Sequence, residues 1–184
     1  MVDTSGRDVT AEELGLDASQ GEPFVRDFTL CQVVDGDRIL LGMKKRGFGV
    51  GKWNGFGGKV EKGETAEAAA SRELSEEAGL QSRVLQHRGV LLFSFQGSPK
   101  LMRVHMFLTR FSDCDGEVTE SEEMRPEWFP VSGIPFDKMW ADDELWMGRV
   151  LEGDSVEGRF AFATDPATIL HSDMHFMPAD RPVE

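Results

Sequence analysis

Residues 58–80, GKVEKGETAEAAASRELSEEAGL, combine a glycine-rich start with a helical stretch that ends in a crowd of acids. Residues 65–78 have helical composition, and a glycine follows them where a helix commonly ends. Because residues advance about 100° each on a helix, Glu73, Glu76 and Glu77 fall on one face. The segment therefore predicts a helix that presents three carboxylates side by side.

This carboxylate stripe is unfavourable if helix stability is the only consideration. Like charges one turn apart repel by on the order of a few tenths of a kcal/mol per exposed pair. The helix dipole also disfavours negative charge in the last turn, where Glu76 and Glu77 lie. A divalent cation over the stripe would compensate, because Mg²⁺ and Mn²⁺ prefer oxygen ligands. The alternative is a solvated acidic face without a ligand, and the spacing alone leaves both interpretations open.

The loop before this helix is rich in glycine. Residues 47–63 contain seven glycines, which predicts a long structured loop. Such a loop can adopt positive φ and bring backbone N–H and C=O groups close to a ligand. The phosphate-binding patterns G-x-x-x-x-G-K-[ST] and G-x-G-x-x-G are both absent.

The flanking sequence mixes strand and helix signals. Residues 28–34 and 38–43 are β-rich and are joined by Asp-Gly-Asp, which predicts a hairpin. Further strands are expected over residues 90–95, 104–111, 127–131 and 159–163, and a second helix over residues 142–151. These elements predict one α+β domain with a mixed sheet, over residues 28–171.

The two ends of the chain differ from this domain. Residues 1–27 hold seven acids and two bases, and contain neither an apolar signal core nor an Arg-rich transit pattern. We expect them to form an acidic, flexible extension. Residues 172–184 contain Pro and Asp and are expected to form a C-terminal tail.

Composition excludes several classes of partner. The chain has 33 acidic and 20 basic residues, a net charge of -13, which argues against binding a nucleic-acid polymer. No apolar run is long enough to span a membrane. Cys31 and Cys114 lie far apart and form no metal-ligand pattern, so a reducing compartment is expected. The cytoplasm is the first expectation, and a nuclear or mitochondrial pool is the alternative. A small-molecule partner and a monomeric chain are the remaining expectations.

A family resemblance rests on residues 58–80. They match the Nudix box, G-x5-E-x7-R-E-U-x-E-E-x-G-U with U aliphatic, at every specified position. The resemblance implies a Nudix fold, an α/β/α sandwich around a mixed β-sheet, and hydrolysis of a nucleoside diphosphate linked to another group. It further implies that Arg72 and Glu64 orient the carboxylates. Mg²⁺, or alternatively Mn²⁺, would be held by Glu73, Glu76, Glu77 and the backbone of Gly57, and the subfamily likeness described next adds Glu123, an acidic position outside the box.

Five further stretches carry a second resemblance. They are residues 42–49 (GMKKRGFG), 52–60 (KWNGFGGKV), 123–126 (EMRP), 134–136 (IPF) and 139–143 (MWADD). They resemble the MutT-like subfamily of animals that hydrolyses oxidised purine nucleoside triphosphates such as 8-oxo-dGTP and 2-oxo-dATP. This likeness implies a nucleotide pocket formed by Thr29, Lys44, Phe48, Asn54, Phe56, Gly57, Gly58, Lys59, Phe93, Met102, Met124, Trp140, Ala141, Asp142 and Asp143. Ala141 replaces a proline of that subfamily.

The residues that would contact the base also have structural explanations. Aromatic and methionine side chains are often ordinary core residues. An Asp pair at a helix start can cap the helix and interact with its dipole. Asn54 inside a glycine loop can simply tolerate a left-handed turn.

The resemblance implies a reaction in which water attacks the phosphate chain and releases a monophosphate and pyrophosphate. Glu77 and Glu123 are the candidate general bases, and the biological result would be removal of oxidised nucleotides before they enter DNA. Two alternatives remain at this stage. One is a Nudix hydrolase for a methylated purine triphosphate, ADP-ribose or a capped nucleotide; the other is a nucleotide-binding module without turnover.

Overall fold

The computed structural model describes residues 24–179. Two α-helices lie in this part of the chain, α1 (Ala66–Ala78) and α2 (Asp143–Leu151). The strands are β1 (Phe24–Asp35), β2 (Arg38–Lys44), β3 (Trp53–Asn54), β4 (Leu80–Ser82), β5 (Gln86–Phe95), β6 (Lys100–Arg110), β7 (Cys114–Gly116), β8 (Met124–Pro130), β9 (Ser155–Phe162) and β10 (Ile169–Met177).

The main sheet is mixed, as the sequence predicts. Its order is β10-β9-β5-β6-β1-β2-β3, and β8 also pairs with β2. Strands β1 and β6 pair in parallel from Phe24 to Val34, and β1 and β2 form the predicted antiparallel hairpin. Its turn contains Gly36 with φ of 60°, a conformation that glycine adopts without strain. Strands β4 and β7 form a separate two-stranded sheet.

The two helices cover opposite faces of the main sheet. The apolar face of α1, including Leu74, packs with the β1 residues Cys31 and Val33. On the other face, Trp146 of α2 packs with Leu91 and other apolar side chains of the sheet. Because side chains alternate along a strand, the central strands β1, β2 and β6 contribute to both cores. The result is the predicted α+β sandwich.

Helix α1 begins and ends where the sequence predicts, with a capping residue at each end. The Thr65 Oγ1 accepts a hydrogen bond from the Ala68 N–H at 3.1 Å, which satisfies one of the free donors of the first turn. At the other end Gly79 has φ of 73°, and its N–H donates to the Ser75 carbonyl at 3.0 Å. The helix that bears the carboxylates is therefore fixed at both ends.

Substituting the terminal glycine tests this anchoring. We expect Gly79→Ala to destabilise the chain by more than the roughly 1–2 kcal/mol that a left-handed conformation costs an L-residue. The reason is that a Cβ there would lie 2.7 Å from the Glu117 carbonyl oxygen. Gly63→Ala is the matched control, since Gly63 has φ of 87° but open space around it. Urea unfolding measures both; equal losses in the two variants would contradict a steric role for Gly79.

Both predicted domain boundaries need correction within the described residues. Residues 24–27, assigned to the flexible extension, belong to β1, where Phe24 and Asp27 pair with β6. Residues 172–177, assigned to the C-terminal tail, belong to β10, which pairs antiparallel with β9. Strand β10 lies at the sheet edge and is largely exposed, so its sequence lacks a continuous apolar pattern. The remainder of the predicted extension and tail, residues 1–23 and 180–184, lies outside the described residues.

The described residues contain no helix that is long and apolar enough to cross a membrane.

Candidate active site

A cavity of about 910 Å³ connects the carboxylates of α1 to the start of α2. Its size suits a small-molecule ligand. The segment after β3 forms its middle: residues 56–60 run antiparallel to β1, with bridges between Phe56 and Cys31 and between Lys59 and Phe28. The cavity therefore lies along the side of β1 that residues 56–60 cover, and it reaches both faces of the sheet.

Most of the predicted site residues line this cavity. They are Thr29, Lys44, Phe48, Asn54, Gly57, Gly58, Lys59, Arg72, Glu73, Glu76, Glu77, Phe93, Met102, Glu123, Met124, Trp140, Asp142 and Asp143. The predictions for Phe56 and Ala141 as pocket residues are corrected, because neither is among the residues that line the cavity. Phe56 is fully buried in the core beneath α1, and Ala141 packs against the core on the opposite face.

Two basic side chains, Lys44 and Arg72, form ion pairs with the carboxylates at one end of the cavity. The Lys44 Nζ lies 2.6 Å from Glu123 Oε1 and 3.3 Å from Glu77 Oε1. The Arg72 Nη1 lies 2.8 Å from Glu73 Oε1 and 3.3 Å from Glu76 Oε2. The three glutamates of the helix stripe and the distant Glu123 are thus brought to one cavity, as the sequence predicts.

Glu77 is the most buried of these carboxylates. Its side chain is 3% exposed, and its Oε2 accepts the Gly57 N–H at 2.9 Å. Burial raises the pKa of Glu77 to about 7, although Lys44 and the Gly57 N–H oppose that rise. Glu123 is more exposed, and its hydrogen bond from Lys44 lowers the pKa of its carboxyl. The two candidate bases therefore sit in different environments and share one lysine.

Glu64 does not line the cavity but contacts the lining residue Arg72. The Arg72 guanidinium donates from Nε and Nη2 to the two Glu64 carboxylate oxygens, each at 3.0 Å, which is a bidentate pair. Its Nη2 also donates to the Lys59 carbonyl at 3.1 Å. This network fastens the glycine loop to α1 and orients Glu73, which agrees with the positioning role that the resemblance implies.

Two glycines let the loop approach its neighbours closely. A Cβ on Gly57 would clash with the carbonyl oxygen of Thr29, and a Cβ on Gly58 would clash with the carboxylate of Glu73. The Thr29 N–H in turn donates to the Gly58 carbonyl at 2.8 Å. Glycine is therefore required at position 57, where the clash is with backbone, whereas a side chain at position 58 would displace the carboxylate of Glu73.

The other end of the cavity contains two adjacent buried acids, Asp142 and Asp143. Asp142 Oδ2 accepts the Trp146 Nε1–H at 2.9 Å, and Asp143 Oδ2 accepts the Trp140 N–H at 2.9 Å. Burial raises the pKa of Asp142 to about 6. Burial and the neighbouring charge of Asp142 raise the pKa of Asp143 well above its usual range. Asp142 makes no side-chain cap bond to α2, so a capping role does not explain this residue.

Aromatic rings stand next to this acid pair. Trp140 stacks with Phe48 at 4.9 Å between ring centroids, and the Lys52 Nζ lies 5.2 Å from the Trp140 ring. Phe48 is 63% exposed, so it is no core residue.

Asn54 Oδ1 accepts the Gly55 N–H at 2.8 Å. Asn54 has negative φ, because no residue other than glycine has positive φ between residues 24 and 179. A left-handed turn therefore does not explain Asn54.

The apolar wall between the two ends contains Phe93 and Met102, with Met124 almost fully buried behind it. Thr29 also lines the cavity, and its Oγ1 is buried and has no hydrogen-bond partner within residues 24–179. A buried hydroxyl without a partner costs free energy. It is therefore a candidate ligand contact, which fits its predicted place in the pocket.

Several lining residues were not predicted. Phe28, Lys52, Phe95 and Phe162 belong to this set, as does Arg26 at the mouth. Phe95 and Phe162 come from neighbouring strands β5 and β9, which pair in parallel only in the folded sheet. Lys52 belongs to residues 52–60, which carry the subfamily resemblance, so its place in that stretch could have predicted it as a lining residue.

The donors at the carboxylate end fit a hard divalent cation by their chemistry, because four carboxylates face one cavity. In the part of the chain that the structure describes, no group of three His, Cys, Asp or Glu side chains is already arranged as a metal site. Lys44 and Arg72 contact the same oxygens instead. A bound cation would compete with these two side chains for the carboxylates.

Comparison with known proteins agrees with this geometry. Residues 23–150 match the model of the NUDIX domain. The zebrafish oxidized purine nucleoside triphosphate hydrolase is 52% identical over 143 residues, which are 78% of this chain and 90% of that protein. The mouse protein of the same name is 51% identical over 145 residues, 79% of this chain and 91% of that one.

A solved structure shows the same fold. The MutT protein of Bacillus halodurans superposes with a TM-score of 0.72 at 27% identity, over 81% of this chain and 97% of that one. The chain belongs to the Nudix family. Nudix hydrolases generally use divalent metal ions and act on small nucleotide substrates, which matches the cavity and its carboxylates.

Proposed function

We propose that this protein hydrolyses oxidised purine nucleoside triphosphates, such as 8-oxo-dGTP and 2-oxo-dATP, to the monophosphate and pyrophosphate. One observation carries the proposal: a single cavity joins the carboxylates of α1 to the buried pair Asp142 and Asp143. The first end suits a phosphate chain with its cation, and the second suits the polar edge of a purine. The names of the fish and mouse relatives support the same substrate class.

We assign Mg²⁺ to the carboxylate end. Glu73, Glu76, Glu77 and Glu123 would hold the cation together with the Gly57 carbonyl. When bound, it neutralises phosphate charge and lowers the pKa of a coordinated water. Glu77 or Glu123 accepts a proton from the attacking water, since both carboxylates line the cavity within reach of Lys44. Arg72, which is bonded to Glu64, keeps the glycine loop in place against α1 during this step.

At the other end the acid pair reads the base. Oxidation of guanine to 8-oxo-guanine converts N7 from an acceptor to a donor and adds a carbonyl at C8. Two adjacent buried carboxyls cannot both ionise cheaply, so one stays protonated and donates while the other accepts. Exchange of that proton lets one pocket bind different oxidised purines. Trp140 stacks on the ring, and Asn54 hydrogen-bonds another edge of it.

The substrate assignment is tested with a panel of nucleotides at equal concentration with Mg²⁺: 8-oxo-dGTP, 2-oxo-dATP, dGTP, a methylated purine triphosphate, ADP-ribose and a capped nucleotide. We expect the oxidised triphosphates to have the highest kcat/KM, with pyrophosphate as the product. A higher kcat/KM for ADP-ribose, the methylated nucleotide or the cap would overturn the assignment while keeping a Nudix hydrolase. No turnover of any compound would favour a binding module.

Two further predictions belong to this proposal. We propose that the chain acts as a monomer and that it acts on the cytoplasmic nucleotide pool. Light scattering of the purified protein during size-exclusion chromatography tests the first, because a dimer would elute with twice the chain's mass of 20.5 kDa. Imaging of the tagged full chain in cells tests the second.

A further inference from the structure

Three cations share one face of the sheet with Phe28 near the mouth of the cavity: Arg26, Lys59 and Lys100. In the parallel register of β1 and β6, Phe24 lies opposite Lys100 and Arg26 lies opposite Met102. Because side chains alternate along a strand, Arg26, Phe28 and Lys100 point to the same face of the sheet. That is the face of Met102, which lines the cavity.

Lys59 reaches the same place from the glycine loop. It is bridged to Phe28 across the antiparallel edge of β1, so the two side chains lie on one face. The Lys100 Nζ stands 5.5 Å from the centroid of the Phe28 ring. Arg26 and Lys59 line the same cavity as Glu73 and the other carboxylates of α1.

These three positive charges have no acidic partner among residues 24–179. None of them forms a salt bridge there, whereas Lys44 and Arg72 in the same cavity each contact two or more carboxylates. On the opposite face of β6, Arg103 is paired with Asp27 at 2.5 Å. The cluster is unfavourable for the folded chain. Partial burial lowers the pKa of Lys100, and the charges of Lys59 and Arg26 lower it further.

We propose that Arg26, Lys59 and Lys100 form a subsite for the terminal phosphates of the nucleoside triphosphate, the part that leaves as pyrophosphate. Lys59 already belongs to the predicted pocket; Arg26 and Lys100 are new to it. The inference rests on the proposed function, because it assigns a place in the same cavity to the phosphate chain of that substrate.

Charge complementarity selects a polyphosphate as the ligand. The chain has a net charge of -13, which repels a polyanion at long range. The cations at the carboxylate end are occupied by Glu64, Glu73, Glu77 and Glu123, whereas the three at the mouth are free of described carboxylates. A terminal phosphate bound there relieves the mutual repulsion of the three cations. The subsite thus favours a triphosphate over a monophosphate with the same base.

The test measures binding of inorganic tripolyphosphate to the full chain by calorimetry, without metal and at low ionic strength. This probe lacks a base and is not a test of oxidised-purine recognition. We expect Arg26→Gln and Lys100→Gln each to raise its Kd about threefold and the double variant about tenfold, the range of exposed charge pairs. Lys100→Arg keeps the charge and should bind nearly as the wild type does.

Arg110→Gln is the matched control, since Arg110 is an exposed cation at the far end of β6, outside the cavity. It should leave the Kd unchanged, and melting temperatures show that each variant is folded. Substrate kinetics give a second readout: the double variant should raise KM for 8-oxo-dGTP while kcat changes little, and binding of 8-oxo-deoxyguanosine, which has no phosphate, should be unaffected.

Three results would overturn the subsite. One is a folded double variant that binds tripolyphosphate as the wild type does. The second is an equal loss in the Arg110 control, which would show an effect of net charge alone. The third is absence of binding to the wild type. If the variants lose tripolyphosphate binding but the wild type does not hydrolyse 8-oxo-dGTP, the subsite stands and the proposed function fails.

Discussion

Replacing Glu77 by Gln is expected to lower kcat for 8-oxo-dGTP more than tenfold while the chain stays folded. The carboxylate of Glu77 is buried beside Lys44 and accepts the Gly57 N–H, and a Gln side chain can keep that last bond. It cannot supply a negative charge to a cation or take a proton from water. Stability should stay close to that of the wild type, because Lys44 retains Glu123 as a partner.

The matched control is Glu67→Gln, in the first turn of the same helix and on its exposed side. It removes the same charge from α1 without touching the cavity, so kcat should be unchanged. Steady-state kinetics with Mg²⁺ and thermal melting are run on both variants. If Glu77→Gln keeps more than about a tenth of the wild-type rate, a loss of less than roughly 1.4 kcal/mol in barrier, the α1 carboxylates are not the catalytic centre.

Replacing Asp142 or Asp143 by Asn is expected to raise KM for 8-oxo-dGTP about tenfold, the cost of one unmade buried hydrogen bond. Asn has nearly the same shape, so the bonds from Trp146 Nε1 and the Trp140 N–H can persist. It cannot exchange a proton with its neighbour, however. The kcat should fall less than KM rises, because the phosphate chain lies at the other end of the cavity.

The same variants are expected to change the dependence of stability on pH. The pKa values of both acids are raised in the folded state, so their protonated forms favour folding below the pKa of an unfolded Asp. That stability is lost as the pH rises through about 6, the pKa of Asp142. Asp143→Asn should therefore gain in melting temperature relative to the wild type between pH 5 and pH 7.5.

One comparison separates base recognition from a purely structural role. The preference for 8-oxo-dGTP over dGTP, as a ratio of kcat/KM, should fall in both Asn variants. If melting temperature changes and this ratio does not, Asp142 and Asp143 support the fold at the start of α2 and do not read the base.

The features predicted correctly from the sequence depend on neighbours along the chain. Thr65 and Gly79 mark the ends of α1 because helix caps are bonds between residues three or four apart. The hairpin turn at Gly36 is equally local. The Nudix box adds a long specific motif, so the family and the site glutamates were available before any tertiary structure.

The features that were missed depend on pairing between distant strands. Strand β10 has exposed polar residues because it is a sheet edge, and only its pairing with β9 shows that residues 172–177 are no tail. Phe56 stands in the motif-bearing loop, yet its side chain turns into the core beneath α1. Neither result is encoded in local pattern or composition.

The carboxylates of α1 were thus predicted from the sequence, as residues of one helix with the spacing of one face. The tertiary structure determined which side chains contact them. It places Lys44 of β2 between Glu77 and Glu123, and the parallel register of β1 and β6 gathers Arg26 and Lys100 around Phe28. The physical reason is that helix faces follow from bonds within a few residues, whereas strand register follows from burial of a whole sheet.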